Sequence, residues 1–517
     1  MTKNFHLLLA FLILALGMRV SGQELTHLST VKLGAFDEGA AEMVDYDPAT
    51  KRIFSINGEK KNVSVIDLND PSAAKLTQTL DISEFGKSPT CVSTNGTLVA
   101  VSVAADDKQA RGKVVFFTTA GELVGSVASG PLPDNLSFTP DGNLCVVANE
   151  GEPNDEYTID PEGSVTVIDV ASGKPGKVVQ VSFADLKPDE NTRIFGPGAS
   201  VAQDLEPEFV AYSGDSKTAW VVCQENNAVV TVDLKSMKAT GVKGLGSKDY
   251  SKEGNGFDAS NESDSVEIRT WPVKGLYQPD GIESFVVGGE TFIATANEGD
   301  AREYLVEHDN GEEEEFFVEE TRVAKLKLDP MAFPNAKELQ DEKNLGRMKT
   351  TTTMGDTDGD GDFDEIYGFG GRSFSIWDSD WNLVFDSGDD FETVTAETLG
   401  EGFNSTNDES AFKDRSDDKG PEPEAVVVGE IDGKKLAFIG LERVGGVMIY
   451  DVSVPAEAKF ISYHNHRDFS ADPETAEAGD LGPEDLEFIP ASHSANGKNL
   501  LVVASEVSGT ISVFEIK

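Results

Sequence analysis

Apolar residues along this chain come in short runs rather than long helical stripes. The stretch QPDGIESFVVGGETFIATANEGD, residues 278–300, shows the pattern. Residues 282–287 form one apolar run and 291–295 a second, with Gly288-Gly289 between them. That spacing predicts two antiparallel strands joined by a tight turn. Acid brackets the unit, with Asp280 and Glu283 at its start and Glu298 and Asp300 after it.

The unit recurs, usually with a third strand added. Starts at Glu42, Pro89, Pro133, Pro207, Pro423 and Pro483 each lead into two further runs. These are residues 52–57 and 62–68, 98–104 and 113–118, and 144–150 and 164–170 in the first half of the chain. In the second half they are 219–225 and 228–234, 435–442 and 446–452, and 499–506 and 509–516. In the copy at 278–300 an insertion displaces the later strands. The third strand often closes on an acid, as at Asp67, Asp169, Asp233, Asp451 and Glu515. One small sheet cannot bury both of its faces, but about seven stacked radially can, at ~40 or more residues per unit. The predicted fold class is all-β, a seven-bladed β-propeller with long inserted loops. Eight blades or two smaller β domains are the alternatives. Residues 27–34 are expected to supply the outer strand of the last blade and so close the ring. Polar segments near 240–277, 302–365 and 387–419 interrupt the repeat and read as loops from one face, with a short helix near 335–342.

Composition adds three points. Residues 1–22 read as a secretory signal peptide: Lys3, an apolar stretch over 7–16, and Val20-Ser21-Gly22 as a small-residue cleavage site. That leaves 23–517 as a single propeller domain without a membrane span. The expected location is secreted or extracellular, or periplasmic in a host with two membranes. Acids outnumber bases 92 to 43, a net charge of -49, which repels nucleic acid and attracts divalent cations. The three cysteines, Cys91, Cys145 and Cys223, are too few for a disulfide framework, and the last two sit in apolar runs as buried thiols would.

Three constellations carry chemistry. The strand starts place Glu42, Asp134, Glu208, Asp280, Glu424 and Glu484 at equivalent positions, with Glu283 further along its strand. The ends of the second strands add Asn57, Glu150, Glu225, Glu298, Glu442 and Glu506. Carboxylates converging ~6 Å apart on one channel repel by roughly 3 kcal/mol per pair at an effective dielectric of 20. They then need cations, protons or arginines, and hard oxygen ligands favour calcium or magnesium. The alternative is that each acid merely caps a turn. The second constellation is Asp356, Asp358, Asp360 and Asp362 with Gly361, the D-x-D-x-D-G spacing of a calcium loop. Asp364 and Glu365 are placed to close the shell. Tyr367 stands where an EF-hand has glutamate, so this is a calcium loop of another kind. Residues 258–264 are a weaker copy. The third is a set of arginines beside acids, Arg302, Arg372, Arg443 and Arg467, whose forks suit phosphate, carboxylate or a neighbouring acid. The sequence has no G-x-S-x-G elbow, no H-E-x-x-H and no P-loop or dinucleotide fingerprint.

Longer phrases carry a family resemblance. They include VANEGEPNDEYTIDPEGSVTVID (147–169), YQPDGIESF (277–285), TANEGDAREY (295–304), GRSFSIWD (371–378), KGPEPEAVVVGEIDG (419–433), ERVGGVMIYDV (442–452) and GDLGPEDLEFI (479–489). With these the chain resembles the choice-of-anchor I domain, a family that includes mesenchyme-specific cell-surface glycoproteins and bacterial homologues labelled alkaline phosphatase-like. The resemblance implies an extracellular propeller associated in some members with biomineral and calcium, and it transfers no catalytic residue set. The chain ends at its last strand, so free secretion is expected over anchoring. The expected function is that of a secreted calcium-binding propeller acting in extracellular binding or in surface or mineral interaction. Expected partners are divalent cations, extracellular matrix, mineral or a phosphorylated small molecule. The alternative is a metal-dependent phosphoesterase that uses an acid/arginine site at the channel mouth.

Overall fold

The computed structural model describes residues 23–308 and 313–517. The expected signal-peptide segment, residues 1–22, lies outside the described residues. The fold is all-β, and its main framework is seven four-stranded antiparallel sheets. Among the described residues no helix is long and apolar enough to cross a membrane.

Six sheets are formed by strands in the order of the chain. The first contains Ala40–Asp47, Arg52–Asn57, Asn62–Asp67 and Lys75–Asp81. The third contains Pro133–Phe138, Leu144–Asn149, Ser164–Asp169 and Val178–Ser182. The fifth pairs Ile282–Val287 and Glu290–Asn297 with Ser373–Asp378 and Leu383–Asp386 across a long insertion. The sixth starts at Pro423–Ile431. The seventh differs. Pro483–Ile489, Leu500–Ser505 and Thr510–Ile516 come from the C-terminal end, and Leu25–Lys32 pairs antiparallel with Thr510–Ile516 as the fourth strand.

The first strands of consecutive sheets touch one another in turn, and the first strand of the first sheet touches that of the seventh. Apolar cores fill the spaces between neighbouring sheets. In the strand Leu144–Asn149, Val146 and Ala148 pack toward the fourth sheet, while Cys145 and Val147 pack toward the second. Strand geometry sends alternate side chains to opposite faces, so a strand covered on both sides must be apolar throughout. Leu98–Ala104 and Leu500–Ser505 satisfy this: every residue in each is buried. Each fully buried valine, leucine or isoleucine contributes about 1.5–3 kcal/mol. The third-strand acids face outward and hold turns: Asp67, Asp169 and Asp451 accept backbone N–H groups of Asn69, Ala171 and Ser453.

The interrupting segments are ordered differently from the loops expected. Residues 240–244 belong to a strand, Lys238–Gly244. The segments 245–281 and 298–372 share a core of their own, with Tyr250, Phe257 and Trp271 packed against Leu326, Phe333, Leu345 and Met348. No local apolar run announces this core, because its members are scattered singly and meet only across the two segments. The third segment contains the ten-residue helix Asp390–Leu399 and buries Phe391, Phe403 and Lys413.

Candidate functional site

The inner strands begin in a repeated way. Leu132, Gln278 and Glu422 have φ of 42°, 41° and 51°, and each precedes a proline and then an acid: Asp134, Asp280 and Glu424. Left-handed backbone at non-glycine residues is costly and concentrates at functional positions. A register shift follows the proline in the third, sixth and seventh sheets. Such bulges re-aim side chains. The seventh sheet uses Gly482 at φ 68° before Pro483-Glu484, and the first uses Ala41 at φ 66° before Glu42.

These acids converge on one cavity of about 320 Å³. Glu42, Asp134, Glu208, Asp280, Glu424 and Glu484 line it from the strand starts, and Glu150, Glu225 and Glu298 from the ends of second strands. Asp485, Glu152 and Asp300 line it too; Asp300 was legible only as an acid bracketing its unit, and none of the three was expected in the converging set. Two of them had a legible signal. Asn149-Glu150-Gly151-Glu152 and Asn297-Glu298-Gly299-Asp300 are the same turn twice. Gly151 and Gly299 sit at φ 72° and 92°, which brings two acids of each turn to the cavity. Asn149 and Asn297 brace the turns by donating to Thr166 and Ser375. In the second sheet Thr90 occupies the acid's place. Among the described residues, no lysine, arginine or histidine lines this cavity.

The electrostatic consequence is clear in sign. Burial, together with repulsion from neighbouring acids, holds the carboxyls of Asp134, Glu150, Glu208, Glu424 and Glu484 well above the usual range. The same causes push Glu42 up to about 8. Asp280 is pushed up to about 6 by burial.

The remaining expected residues lie elsewhere. Glu283 is absent from the cavity wall, and its carboxyl is pushed up to about 8 by burial and by Asp485. Glu442 and Glu506 stand outside the lining, and Glu442 groups with Glu298 and Glu422. Three of the four arginines serve neighbouring acids, and the fourth serves backbone carbonyls. Arg302 pairs with Asp204 at 2.5 Å and Glu206 at 2.8 Å, its guanidinium over the ring of Phe195. Arg372 pairs with Glu392 at 2.6 Å. Arg443 pairs with Glu422 and Glu442, each at 3.0 Å. Arg467 donates to the carbonyls of Thr406, Arg443 and Glu409. Lys419, another residue missed by the sequence reading, stands behind the cavity wall. Its ammonium is 2.7 Å from Glu298 and 3.3 Å from Glu422.

The aspartate loop is a separate, exposed site. Asp356, Asp358 and Asp360 each present an oxygen within 4.8 Å of the others. The carboxylate of Asp356 accepts the N–H groups of Gly359 at 2.7 Å and Gly361 at 3.0 Å. Both glycines have left-handed φ, 79° and 89°, which the tight turn requires. Asp362 and Asp364 group instead with Asp329, and Asp362 pairs with Lys327 at 3.2 Å. Glu365 turns away to Lys274 at 2.6 Å and the hydroxyl of Tyr367 at 2.7 Å. In the weaker copy, Asp258 is committed to Lys413 at 3.0 Å.

Comparison with known proteins gives consistent matches. The choice-of-anchor I domain matches residues 42–455. Gigasin-3a of Magallana gigas is 31% identical over 191 residues, 35% of this chain and 67% of that protein. Mesenchyme-specific cell surface glycoprotein of Strongylocentrotus purpuratus is 26% identical over 373 residues, 66% of this chain but only 44% of that longer protein. Among solved structures, hydrazine synthase of Kuenenia stuttgartiensis aligns over 94% of this chain and 97% of its own at TM-score 0.45 and 13% identity. With the family match spanning most of its length, this chain belongs to the choice-of-anchor I domain family.

Proposed function

We propose that this chain is an extracellular, calcium-binding surface protein built as a seven-bladed β-propeller. The unbroken succession of first-strand contacts and the pairing of Leu25–Lys32 with Thr510–Ile516 support a closed ring. The cell-surface character of the glycoprotein relative supports the location. The protein acts by binding, in contact with matrix or calcium mineral, and its calcium is held in the acidic cavity and on the Asp356 loop.

One observation carries this reading: among the described residues, twelve carboxylates line a single cavity and no basic side chain lines it. At an effective dielectric of 20, two ionised carboxylates 4–5 Å apart repel by about 3–4 kcal/mol. Such a wall is stable only when protonated or loaded with cations. Arg302, Arg372 and Arg443 are engaged with acids, so binding is better supported than phosphoester hydrolysis.

Calorimetric titration of the full chain with calcium chloride tests the proposal. Saturable uptake and a melting temperature that rises with calcium are expected. No heat of binding and no thermal shift at millimolar calcium would refute it. Adsorption to calcium carbonate particles, abolished by chelator-resistant blocking of the acids with carbodiimide, tests the mineral contact.

A further inference from the structure

Resting on that calcium-binding reading, we propose that Asp280, Glu298 and Glu424 form the seat of one divalent cation in the cavity wall between the fifth and sixth sheets. Each residue presents an oxygen within 4.8 Å of the other two. A calcium ion holds its oxygens at about 2.3–2.6 Å, so oxygens directly across one ion stand about 4.6–5.2 Å apart and others closer. The three carboxylates therefore fit around a single ion without moving the backbone.

A second observation points to a ligand. Glu424 is 6% exposed, lines the cavity, and its Oε2 is buried with no hydrogen-bond partner. Leaving a buried carboxylate oxygen unpaired is costly, and native folds rarely do so without an ion or water to satisfy it. Glu298, by contrast, is held in place. Gln224 donates to its Oε2 at 2.7 Å and Lys419 to its Oε1 at 2.7 Å. The backbone fixes the other two: Gly281 N–H donates to the Glu424 carbonyl at 3.1 Å, so Asp280 and Glu424 start their strands side by side.

The charges also select a divalent ion. Asp280, Glu298 and Glu424 carry three negative charges when ionised, and the ammonium of Lys419 on Glu298 offsets one. The remaining two match one divalent cation. All donors are carboxylate oxygens, a set that favours calcium over softer metals. This seat is distinct from the Asp356 loop, whose Asp356, Asp358 and Asp360 are exposed.

The test is calcium titration calorimetry on the full chain and three variants: Glu424→Gln, Asp280→Asn and Asp358→Asn. The wild type is expected to bind one more equivalent than Glu424→Gln or Asp280→Asn, or to bind it at least tenfold more tightly. Asp358→Asn is expected to keep that equivalent. Melting in chelator checks folding, since Glu424→Gln removes a buried charge and is expected to melt no lower than the wild type. If both cavity variants bind calcium with unchanged stoichiometry and affinity, the seat is refuted while the broader calcium reading stands. If Asp358→Asn alone removes all binding, the outcome is the same. If the wild type binds no calcium, the broader reading falls and this seat with it.

Discussion

Glu422 offers the sharpest energetic test of how this fold manages its charge. It is fully buried, and its carboxylate is shared by Arg415 at 2.5 Å, Arg443 at 3.0 Å and Lys419 at 3.3 Å. Burial alone would push its carboxyl up. The charges of Lys419, Arg415 and Arg443 override burial and hold it well below the usual value of 4.5. Consider Glu422→Gln. Each contact near 3 Å has a gross Coulomb energy of about 5 kcal/mol at an effective dielectric of 20. Much of that is offset by desolvation, and removing one partner from a buried ion cluster costs about 3–5 kcal/mol net. For a chain of this length the unfolding entropy is about 1 kcal/mol per degree, so the melting temperature should drop by about 3–5 °C. The sign of the pH dependence follows from the lowered carboxyl. Stabilisation is fully present above about 4.5 and is lost as pH falls, at about 1.4 kcal/mol per unit. Scanning calorimetry of both proteins at pH 7 and below pH 4 measures the difference. A gap under about 1 °C at neutral pH, or one that stays constant into acid, would refute the cluster's role. Lys419, Arg415 and Arg443 would also lose their common anchor, so calcium affinity in Glu422→Gln is expected to fall as these bases compete for the cavity acids.

Other consequences can be measured directly. Glu42 and Glu442 are pushed up to about 8 and Asp485 to about 7, burial being the largest cause in each. Their folded values exceed the unfolded ones, so their stabilisation is complete below about 4.5 and is lost as pH rises toward 8. In chelator the melting temperature should therefore fall between pH 5 and 8, and calcium should flatten that fall; a flat profile in chelator would contradict it. At Gly281 an added Cβ would lie 2.5 Å from the backbone oxygen of Glu424. Gly281→Ala should cost about 1–3 kcal/mol and weaken calcium binding in the cavity, read by denaturation and calorimetry. Cys91, Cys145 and Cys223 are buried and unpaired, so a thiol reagent such as Ellman's should label none in the native protein and three after denaturation.

Much of the fold was legible because each unit repeats a local signal. A turn, an apolar strand and an acid at a strand start are all set by neighbours a few residues apart. The predicted runs at 98–104 and 144–150 correspond to the strands Leu98–Ala104 and Leu144–Asn149. The strand starts were legible too, since a proline followed by an acid marks where the inner strand begins. What a side chain meets across the molecule was not legible. Arg302 and Asp204 are 98 residues apart, and nothing local shows that the arginine is spent on that acid. Lys419 lies in a stretch rich in acid and glycine that reads as solvent-exposed loop, yet it reaches Glu298 some 121 residues away.

The chain by itself therefore determined the strand repeat, the acid at six of the seven first-strand starts and the aspartate loop, because these depend on backbone geometry and spacing within one unit. Tertiary structure alone decided which acids share a cavity, which are neutralised, and which are left without a partner. Asp280 and Glu424 are far apart in sequence and meet only because Gly281 lets two strand starts approach, and Glu298 joins them from the end of the next strand. Charge acts through space, and burial sets its strength, so the chemistry of these carboxylates belongs to the assembled wall rather than to any one repeat.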